Sequence, residues 1–366
     1  MSTKINTKLD WKSAIILTVV TAVAAISTTD VARSFVAKSP PAAIATNTQS
    51  TYLTPDAVTP NRQQQRIIGI YQGRFELTAN VSEQEIRNRV RHFRARGFNT
   101  LVQGVWGNGC GMYASAVNKQ LVGTARCPNH FNDRAVEWTI DEAHKQGIQF
   151  HAYFEKGIKI DKNSPIFSLA VGRKWLLSGM DRADSQHPYY LLDVANPEVA
   201  EFYRSIVTEF VRKYPQVDAV QFDDYLSYAP ELLEHQSPAD RQQLVTNLTT
   251  FVNNLVAATK QANPQVSFDI CDFNDYWAAK MYGADLANWH VDRRFIEAYR
   301  DSDFDRELTN ARGVSGIAIG QHQLHRLPTV LENSQMNLFL FPLDVKPTRA
   351  ADLFAQQRQL PRVARR

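Results

Sequence analysis

The sequence predicts an α/β protein whose fold is a closed (β/α)8 TIM barrel. From Arg66 onward, eight short apolar runs alternate with amphipathic helical stretches, which is the pattern of parallel strands covered by helices. About 300 residues follow Arg66, enough for one barrel of this kind. The main alternative is an open, doubly wound sheet. No G-x-G-x-x-G motif follows the first run and no Walker loop occurs, which argues against a nucleotide-binding open sheet.

The amino-terminal region predicts an export signal followed by a linker. Residues 1–29 contain three lysines and then the uncharged apolar run 14–27 with an Ala-x-Ala pattern, the order found in signal peptides. The run is shorter than the roughly 20 apolar residues that span a bilayer, so we expect export, with an uncleaved membrane anchor as the alternative. Residues 30–65 are rich in Ala, Thr, Ser, Pro and Gln, which predicts a flexible linker. The barrel is then expected to occupy residues 66–366.

Composition argues against nucleic acid and structural zinc and is compatible with one disulfide. The chain has 41 Lys and Arg against 37 Asp and Glu, a net charge of +4, and its lack of a long basic block argues against nucleic acid as a partner. No Cys-x-x-Cys motif is present, so we expect no structural zinc and no other metal or cofactor. Because export permits disulfides, Cys110 and Cys127 are a plausible pair; three unpaired cysteines, with Cys271 buried, are the alternative.

The strands and helices can be placed in order. The apolar runs that predict the strands are Ile67–Tyr71, Asn99–Trp106, Ile148–Phe154, Val217–Phe222, Val266–Cys271, Phe295–Tyr299, Val314–Ile319 and Met336–Phe341. Helix starts are marked by a capping box at Ser82–Glu85 and by Asn196 and Ser237, each followed by proline. A further helix is expected over residues 132–146, before Gly147. In such a barrel the chemistry belongs at the carboxyl ends of the strands.

The fourth strand ends in the most informative motif of the chain. It is followed by Asp223, Asp224 and Tyr225. Alternation along a strand places Gln221 and Asp223 on one face and Phe222 on the other, so we expect the first two to face the barrel mouth. Two carboxylates after an apolar strand are costly to hold in a pocket unless they bind a cation or perform chemistry. Capping of a turn by one aspartate is the alternative.

The sixth strand offers a second carboxyl group. Glu297 and Tyr299 share a face of the run Phe295–Tyr299, and would point into the same mouth. Hydrolysis of a glycosidic bond needs a carboxylate nucleophile or base and a protonated acid. We therefore expect Asp223 to act as nucleophile or base and Glu297 as general acid. A salt bridge from Glu297 to Arg294 or Arg300 is the alternative.

Aromatic and amide side chains at other strand ends could bind a sugar by stacking and hydrogen bonding. The predicted substrate-binding residues are Tyr71, Trp106, Asn108, Tyr113, His151, Tyr153, Gln221, Tyr225, Asp272 and Tyr299. The segment 155–189 is too long for a plain turn, and we interpret it as an elaborated loop over the mouth.

Several motifs in order resemble those of a known family. They are Arg96-Gly-Phe-Asn-Thr-Leu101, Met112-Tyr113-Ala-Ser115, Ala143-His-Lys-Gln-Gly-Ile148 leading to His151-Ala-Tyr153, Leu192-Asp193 with Asn196-Pro-Glu198, and Asp218-Ala-Val-Gln-Phe-Asp-Asp-Tyr225. Together they resemble the glycosyl hydrolase-like family ten domain over residues 66–341. The resemblance implies an exported bacterial (β/α)8 barrel that cleaves a polysaccharide or peptidoglycan glycan strands, with Asp223 or Asp224 as its catalytic carboxylate. The chain departs from the family pattern at Gln221, Glu297 and Asp269.

Two functions from different classes follow. The first is an exported glycoside hydrolase, periplasmic, secreted or anchored facing outward. The second is a non-catalytic carbohydrate-binding barrel at the cell envelope, for which Trp106 and Tyr113 would matter more than any carboxyl group. A metal-dependent lyase or aldolase with Asp223 and Asp224 as ligands is a third, weaker interpretation.

Overall fold

A computed structural model provides the structure of the chain. It describes residues 65–78, 80–128, 132–177 and 189–359. The predicted export signal and nearly all of the predicted linker lie outside these described residues. Within them, no helix combines the length and the apolar character that crossing a membrane requires.

Eight parallel strands form a closed barrel in the described part of the chain. They are β1 (Ile68–Gln72), β2 (Thr100–Gly107), β3 (Gln149–Phe154), β4 (Ala219–Phe222), β5 (Ser267–Asp272), β6 (Arg293–Glu297), β7 (Gly316–Gly320) and β8 (Asn337–Phe341). Each strand pairs in parallel with the next along the chain, and β1 pairs with both β2 and β8. The sheet therefore closes on itself, and the predicted (β/α)8 barrel is confirmed.

Helices connect and cover the strands. They are α1 (Glu83–Ala95), α2 (Ala116–Val122), α3 (Ala135–Lys145), α4 (Phe167–Gly172), α5 (Pro197–Lys213), α6 (Pro230–Glu234), α7 (Pro238–Ala262), α8 (Asp275–Tyr282), α9 (Phe304–Ala311), α10 (Leu327–Glu332) and α11 (Pro347–Gln359). The capping box at Ser82 is present, and the side chains of Asn196 and Ser237 accept hydrogen bonds from the first turns of α5 and α7. These three predicted helix starts are confirmed.

Strand alternation separates the barrel interior from the helix-facing core. Phe222 faces outward, where its ring packs on Phe154 and Phe268 at 5.2 and 5.5 Å between centroids. The interior contains Tyr71, Val102, Tyr153, Cys271, Phe295, Ala318 and Phe339. Since Phe222 faces outward, Gln221 and Asp223 on either side of it face inward.

Strand β6 begins and ends two residues earlier than its apolar run predicts. It spans Arg293–Glu297, so Glu297 is its last residue and Tyr299 lies in the loop beyond it. Arg293 extends the strand at its amino end because it pairs with Asp269 on β5, both in strand register and by a side-chain ion pair of 2.8 Å. Because Arg293 is polar, the apolar run in the sequence did not include this start of the strand.

Two segments elaborate the barrel after β2 and β3. After β2 the chain folds back as a short antiparallel strand, Cys110–Gly111, and Cys110 forms a disulfide with Cys127. After β3 the two-residue strands Lys159–Ile160 and Tyr190–Leu191 pair in antiparallel fashion. Residues 178–188, in the middle of the predicted loop over the mouth, lie outside the described residues, so that loop's role stays a prediction.

Candidate active site

The carboxyl ends of the strands open onto a cavity of about 640 Å³. Its walls come from the ends of β1, β3, β4, β6 and β8 and from the loop and helix that follow β5. The predicted site residues that line it are Tyr71, Tyr153, Asp223, Asp224, Tyr225, Glu297 and Tyr299. The structure thus brings together the three carboxyl residues predicted to be catalytic and four of the five tyrosines predicted to bind substrate.

Asp223 is the most enclosed of the three carboxyl groups. Its side chain is 7% exposed. One oxygen accepts a hydrogen bond from the Tyr153 hydroxyl, and the other accepts one from the Tyr225 backbone N–H at 3.1 Å. Asp224 and Glu297 are half-buried and face the cavity. Asp223 is therefore fixed in orientation, whereas its two neighbours are accessible to a ligand.

Asp223, Asp224 and Glu297 together form what we call the carboxyl cluster. Burial raises the pKa of each of these three carboxyl groups. The pKa of Asp223 rises to about 8, first because of burial and second because of the negative charge of Asp224. The pKa of Glu297 lies well above its usual range, because of burial and then the charges of Asp224 and Asp223. Burial also raises the pKa of Asp224, but the nearby Lys159 cation opposes the increase. The cluster consequently binds protons at neutral pH, and Asp224 is the group best placed to stay ionised.

Lys159 places a positive charge beside the carboxyl cluster. Its side chain is buried, and its ammonium group lies 4.5 Å from the centre of the Tyr225 ring and 5.1 Å from that of Tyr189. Its charge acts on Asp224, Asp223 and Glu297. Burial lowers the pKa of Lys159, and the charge of Asp224 opposes that decrease. The single positive charge of Lys159 thus faces several carboxyl groups. It can balance the negative charge of only one of them if they are all ionised.

The arginines beside Glu297 pair with other acids. Arg294 bonds to Asp275 at 3.0 Å, and Arg300 bonds to Asp303 at 2.7 Å. The alternative in which either arginine forms a salt bridge with Glu297 is therefore wrong. The Glu297 carboxyl group faces the cavity, beside the half-buried ring of Tyr299.

Two of the predicted substrate-binding residues lie beneath the cavity rather than in its wall. Gln221 is fully buried and donates a hydrogen bond to the Tyr71 hydroxyl, and His151 lies within 3.3 Å of the Gln221 side chain. Burial and then the charge of Arg293 lower the pKa of His151 to about 3. Both side chains face the interior as alternation predicts, but each lies two residues before the residue at the end of its own strand that lines the cavity, which is Asp223 for Gln221 and Tyr153 for His151. They support the floor instead of contacting a ligand in the cavity.

Trp106 and Tyr113 were predicted to bind substrate, but the structure places both of them outside the cavity. Strand β2 shifts register between Gly104 and Trp106. This irregularity turns Trp106 outward, where it packs against Phe154 and Phe202. Tyr113 is fully buried against Phe210 at 5.1 Å between ring centroids. Both rings belong to the core between barrel and helices, and neither lines the cavity.

Asn108 and Asp272 are also displaced from their predicted role. Asn108 exchanges hydrogen bonds of 2.8 Å with the side chain and backbone of Asp161, and so braces the loop after β3. Asp272 is fully buried and accepts a hydrogen bond from the Phe273 N–H at 2.6 Å. Its charge raises the pKa of Glu297, so Asp272 influences the cluster without lining the cavity.

Several residues of the site were not found from the sequence. Those that line the cavity include Trp277 and Tyr282 on α8, Arg300, and Phe341 at the end of β8. Lys159 does not line the cavity but contacts the Tyr225 ring beside it. Phe341 could have been found, because it shares the inward face of β8 with Phe339. Lys159 and Trp277 lie in long connecting segments, whose placement strand alternation does not determine. In the described residues, no group of three or more His, Cys, Asp or Glu side chains is arranged to hold a metal ion.

The fold and the cavity define a (β/α)8 barrel with its candidate site where barrel enzymes place theirs. The family model described as Glycosyl hydrolase-like 10 matches residues 66–243. The resemblance inferred from the motifs is therefore confirmed over that range, which ends within α7 and falls short of residue 341.

A curated relative agrees with this family. Glycosyl hydrolase DigH of Escherichia coli K12 is 30% identical over 163 residues, which cover 40% of this chain and 35% of DigH. A protein of the same name from Shigella flexneri matches equally. The chain thus spans about a third of the length of the curated relatives it matches.

Solved structures share the barrel fold at low sequence identity. A β-N-acetylhexosaminidase superimposes with a TM-score of 0.55 at 11% identity, covering 82% of this chain and 73% of that one. An exo-β-N-acetylglucosaminidase from Vibrio harveyi gives 0.53 at 12% identity, covering 79% and 54%. The chain has the fold of glycosidase barrels.

Proposed function

We propose that this protein is a glycoside hydrolase that acts on a polysaccharide or on peptidoglycan glycan strands. The observation that carries the proposal is the convergence of Asp223, Asp224 and Glu297 on one cavity at the carboxyl end of the barrel. Glycosidic cleavage needs one carboxyl group that holds a proton and one that has lost it. The raised pKa of Glu297 and the position of Lys159 beside Asp224 favour that division.

In this proposal Glu297 is the general acid. Its pKa lies well above the usual range because of burial and the surrounding carboxylates, so it holds a proton at neutral pH. It donates that proton to the glycosidic oxygen as the bond to the leaving sugar breaks.

Asp224 is proposed as the carboxylate partner. It faces the cavity, and the Lys159 cation favours its ionised form. It acts as nucleophile or as the base that activates water. The strand pattern favours Asp223 for this role, but burial and the charge of Asp224 raise its pKa to about 8. This increase outweighs the hydrogen bonds donated by Tyr153 and the Tyr225 N–H, which favour the carboxylate. Asp223 is therefore better suited to holding a proton beside Asp224.

Export to the periplasm, secretion or outward-facing anchorage is part of the proposal. The disulfide between Cys110 and Cys127 supports it, because disulfides persist mainly in oxidising compartments. The apolar amino-terminal run remains the proposed signal or anchor.

The test separates the two proposed roles. Cleavage of glycan strands is measured by reducing-end release for wild type, Glu297→Gln and Asp224→Asn, with an aryl glycoside as a second substrate. Because an activated aryl leaving group such as 2,4-dinitrophenolate departs without protonation, Glu297→Gln should lose activity on strands, by about 100-fold or more, yet keep most of its activity on a 2,4-dinitrophenyl glycoside. Asp224→Asn should lose both activities. Full activity of Asp224→Asn on strands would rule out the proposed carboxylate role.

The non-catalytic carbohydrate-binding barrel remains the second candidate. Exposed Tyr225 and Trp277 at the cavity support it, since such rings stack on sugars. This candidate predicts that wild type binds glycan strands but releases no reducing ends. In that case Trp277→Ala should weaken binding more than Asp224→Asn.

A further inference from the structure

In the described part of the chain, the large exposed apolar side chains lie toward one end of the barrel. Six large ones are exposed among the described residues: Phe75 (63%), Val171 (52%), Tyr225 (37%), Tyr276 (61%), Trp277 (37%) and Leu343 (44%). Each belongs to a segment that follows the carboxyl end of a barrel strand. Grouped exposure of this kind indicates a binding surface, whereas scattered exposure would need no explanation.

Five of these residues form two rims on opposite sides of the cavity. Phe75 and Leu343 follow β1 and β8, and we call them the β1/β8 rim. Tyr225, Tyr276 and Trp277 follow β4 and β5, and we call them the β4/β5 rim. Strands β1 and β5 lie four strands apart in both directions around the closed sheet, so the rims face each other across the barrel mouth.

The cavity runs from one rim to the other. Leu343 of the β1/β8 rim and Trp277 of the β4/β5 rim line the same space, and Asp224 and Glu297 line it as well. A ligand that contacts both rims must therefore pass over the carboxyl cluster.

The aromatic rings of the rims are held in place by charged neighbours. The Arg74 guanidinium lies 4.5 Å from the centre of the Phe75 ring, and Arg74 is itself fixed by an ion pair of 2.6 Å with Glu155. On the other rim, Lys280 donates a hydrogen bond of 2.8 Å to the Tyr276 hydroxyl. Rings fixed in this way lose little conformational freedom when a ligand stacks on them.

We propose that the two rims bind one linear glycan polymer that crosses the mouth, so that the carboxyl cluster meets an internal bond rather than a chain end. The apolar faces of consecutive sugars stack on the rim rings, and their hydroxyl groups meet the polar wall between them. This inference rests on the proposed function for the cleavage step alone; the binding of a polymer across both rims stands independently of cleavage.

The test measures binding without turnover. Affinity for a disaccharide and for long peptidoglycan glycan strands is measured by calorimetry in the Asp224→Asn background, alone and with Phe75→Ala, Trp277→Ala or Val171→Ala. Val171 is the matched control, because it is exposed at the same end but follows β3 and belongs to neither rim. Melting temperatures verify that each variant is folded.

Phe75→Ala and Trp277→Ala should each weaken binding of long strands by about 10-fold. Phe75→Ala should leave disaccharide binding unchanged, and Val171→Ala should change neither affinity. Equal losses for Val171→Ala, or no loss for either rim variant, would overturn the inference.

The size distribution of the products separates this inference from the proposed function. Wild type should shorten long strands before small products accumulate. If both rims bind long strands and wild type releases no reducing ends, the hydrolase proposal fails, and the proposal that both rims bind one polymer stands. If wild type releases only terminal units and the rim variants bind normally, the two-rim proposal is wrong and the hydrolase proposal stands.

Discussion

The ammonium group of Lys159 lies 4.5 Å from the centre of the Tyr225 ring, directly beside the carboxyl cluster. The ring belongs to the same loop as Asp223 and Asp224, so the contact fixes the cation at the aspartate pair. The carboxyl groups and rings that face Lys159 come from several elements: Asp223, Asp224 and Tyr225 after β4, Asp272 on β5, Glu297 on β6, and Tyr189. The protonation of the site thus depends on a residue outside the barrel strands.

Removing this cation should move the pH profile of the proposed reaction. Lys159 lowers the pKa of Asp224 and of Glu297, so Lys159→Met should raise both pKa values. Both limbs of the kcat/KM profile should then move to higher pH, by about one unit. Lys159→Arg keeps the charge and should stay nearer to wild type. Lys145→Met, which removes an exposed lysine paired with Asp141 on α3, serves as the control. A profile unchanged in Lys159→Met would contradict this role.

Asp223 should make the protein less stable as the pH rises. Its pKa is about 8 in the folded state, against about 3.9 for an unfolded aspartate. The folded state therefore holds a proton that the unfolded chain releases. This contribution to stability is complete below about pH 4 and is lost as the pH rises through about 8.

Urea unfolding between pH 4 and pH 8 tests this linkage. The Asp223→Asn variant has no ionisable carboxyl group at this position. As the pH rises, its free energy of unfolding should therefore fall less steeply than that of wild type, by up to about 1.4 kcal/mol per pH unit. Glu332→Gln, at the end of α10 and away from the cavity, should follow the wild-type curve. Parallel curves for Asp223→Asn and wild type would show that the carboxyl group is ionised in the folded state.

The barrel and its carboxyl groups could be predicted because they depend on local alternation. Eight apolar runs gave the eight strands, and the outward position of Phe222 placed Asp223 at the mouth. Alternation gives the face of a strand but not the depth, which is why Gln221 lies below the cavity. It also fails at an irregular register, which is why Trp106 faces the helices.

The remaining site residues depend on tertiary placement. Lys159 reaches the cluster because its short strand pairs with Tyr190–Leu191, about thirty residues later. Trp277 reaches the cavity because α8 begins directly after the β5 loop, with Asn274 as its N-cap. Neither Lys159 nor Trp277 could be assigned to the site from its neighbours in the sequence. A lysine or a tryptophan in a connecting segment is more often exposed to solvent or part of the core.

Reduction of the disulfide should destabilise the protein without abolishing the barrel. Cys110 and Cys127 close a loop with a sequence separation of 17, for which chain entropy predicts a loss of about 3 kcal/mol on opening. Urea unfolding with and without reductant measures the loss. Cys110→Ser/Cys127→Ser should match reduced wild type and be insensitive to reductant. A double variant as stable as oxidised wild type would contradict the prediction.

Gly157 should be required for the position of Tyr225. It adopts φ +43°, and a Cβ there would collide with the Tyr225 backbone carbonyl. Gly147 provides a matched control, because it has φ +67° and a Cβ added to it would meet no atom within 4 Å. Gly147→Ala should cost about 1 kcal/mol of backbone strain and retain activity. Gly157→Ala should cost about 3 kcal/mol and displace the Tyr225 loop, with a loss of glycan binding. Equal stability and binding in the two variants, measured by urea unfolding and calorimetry, would show that the loop adapts.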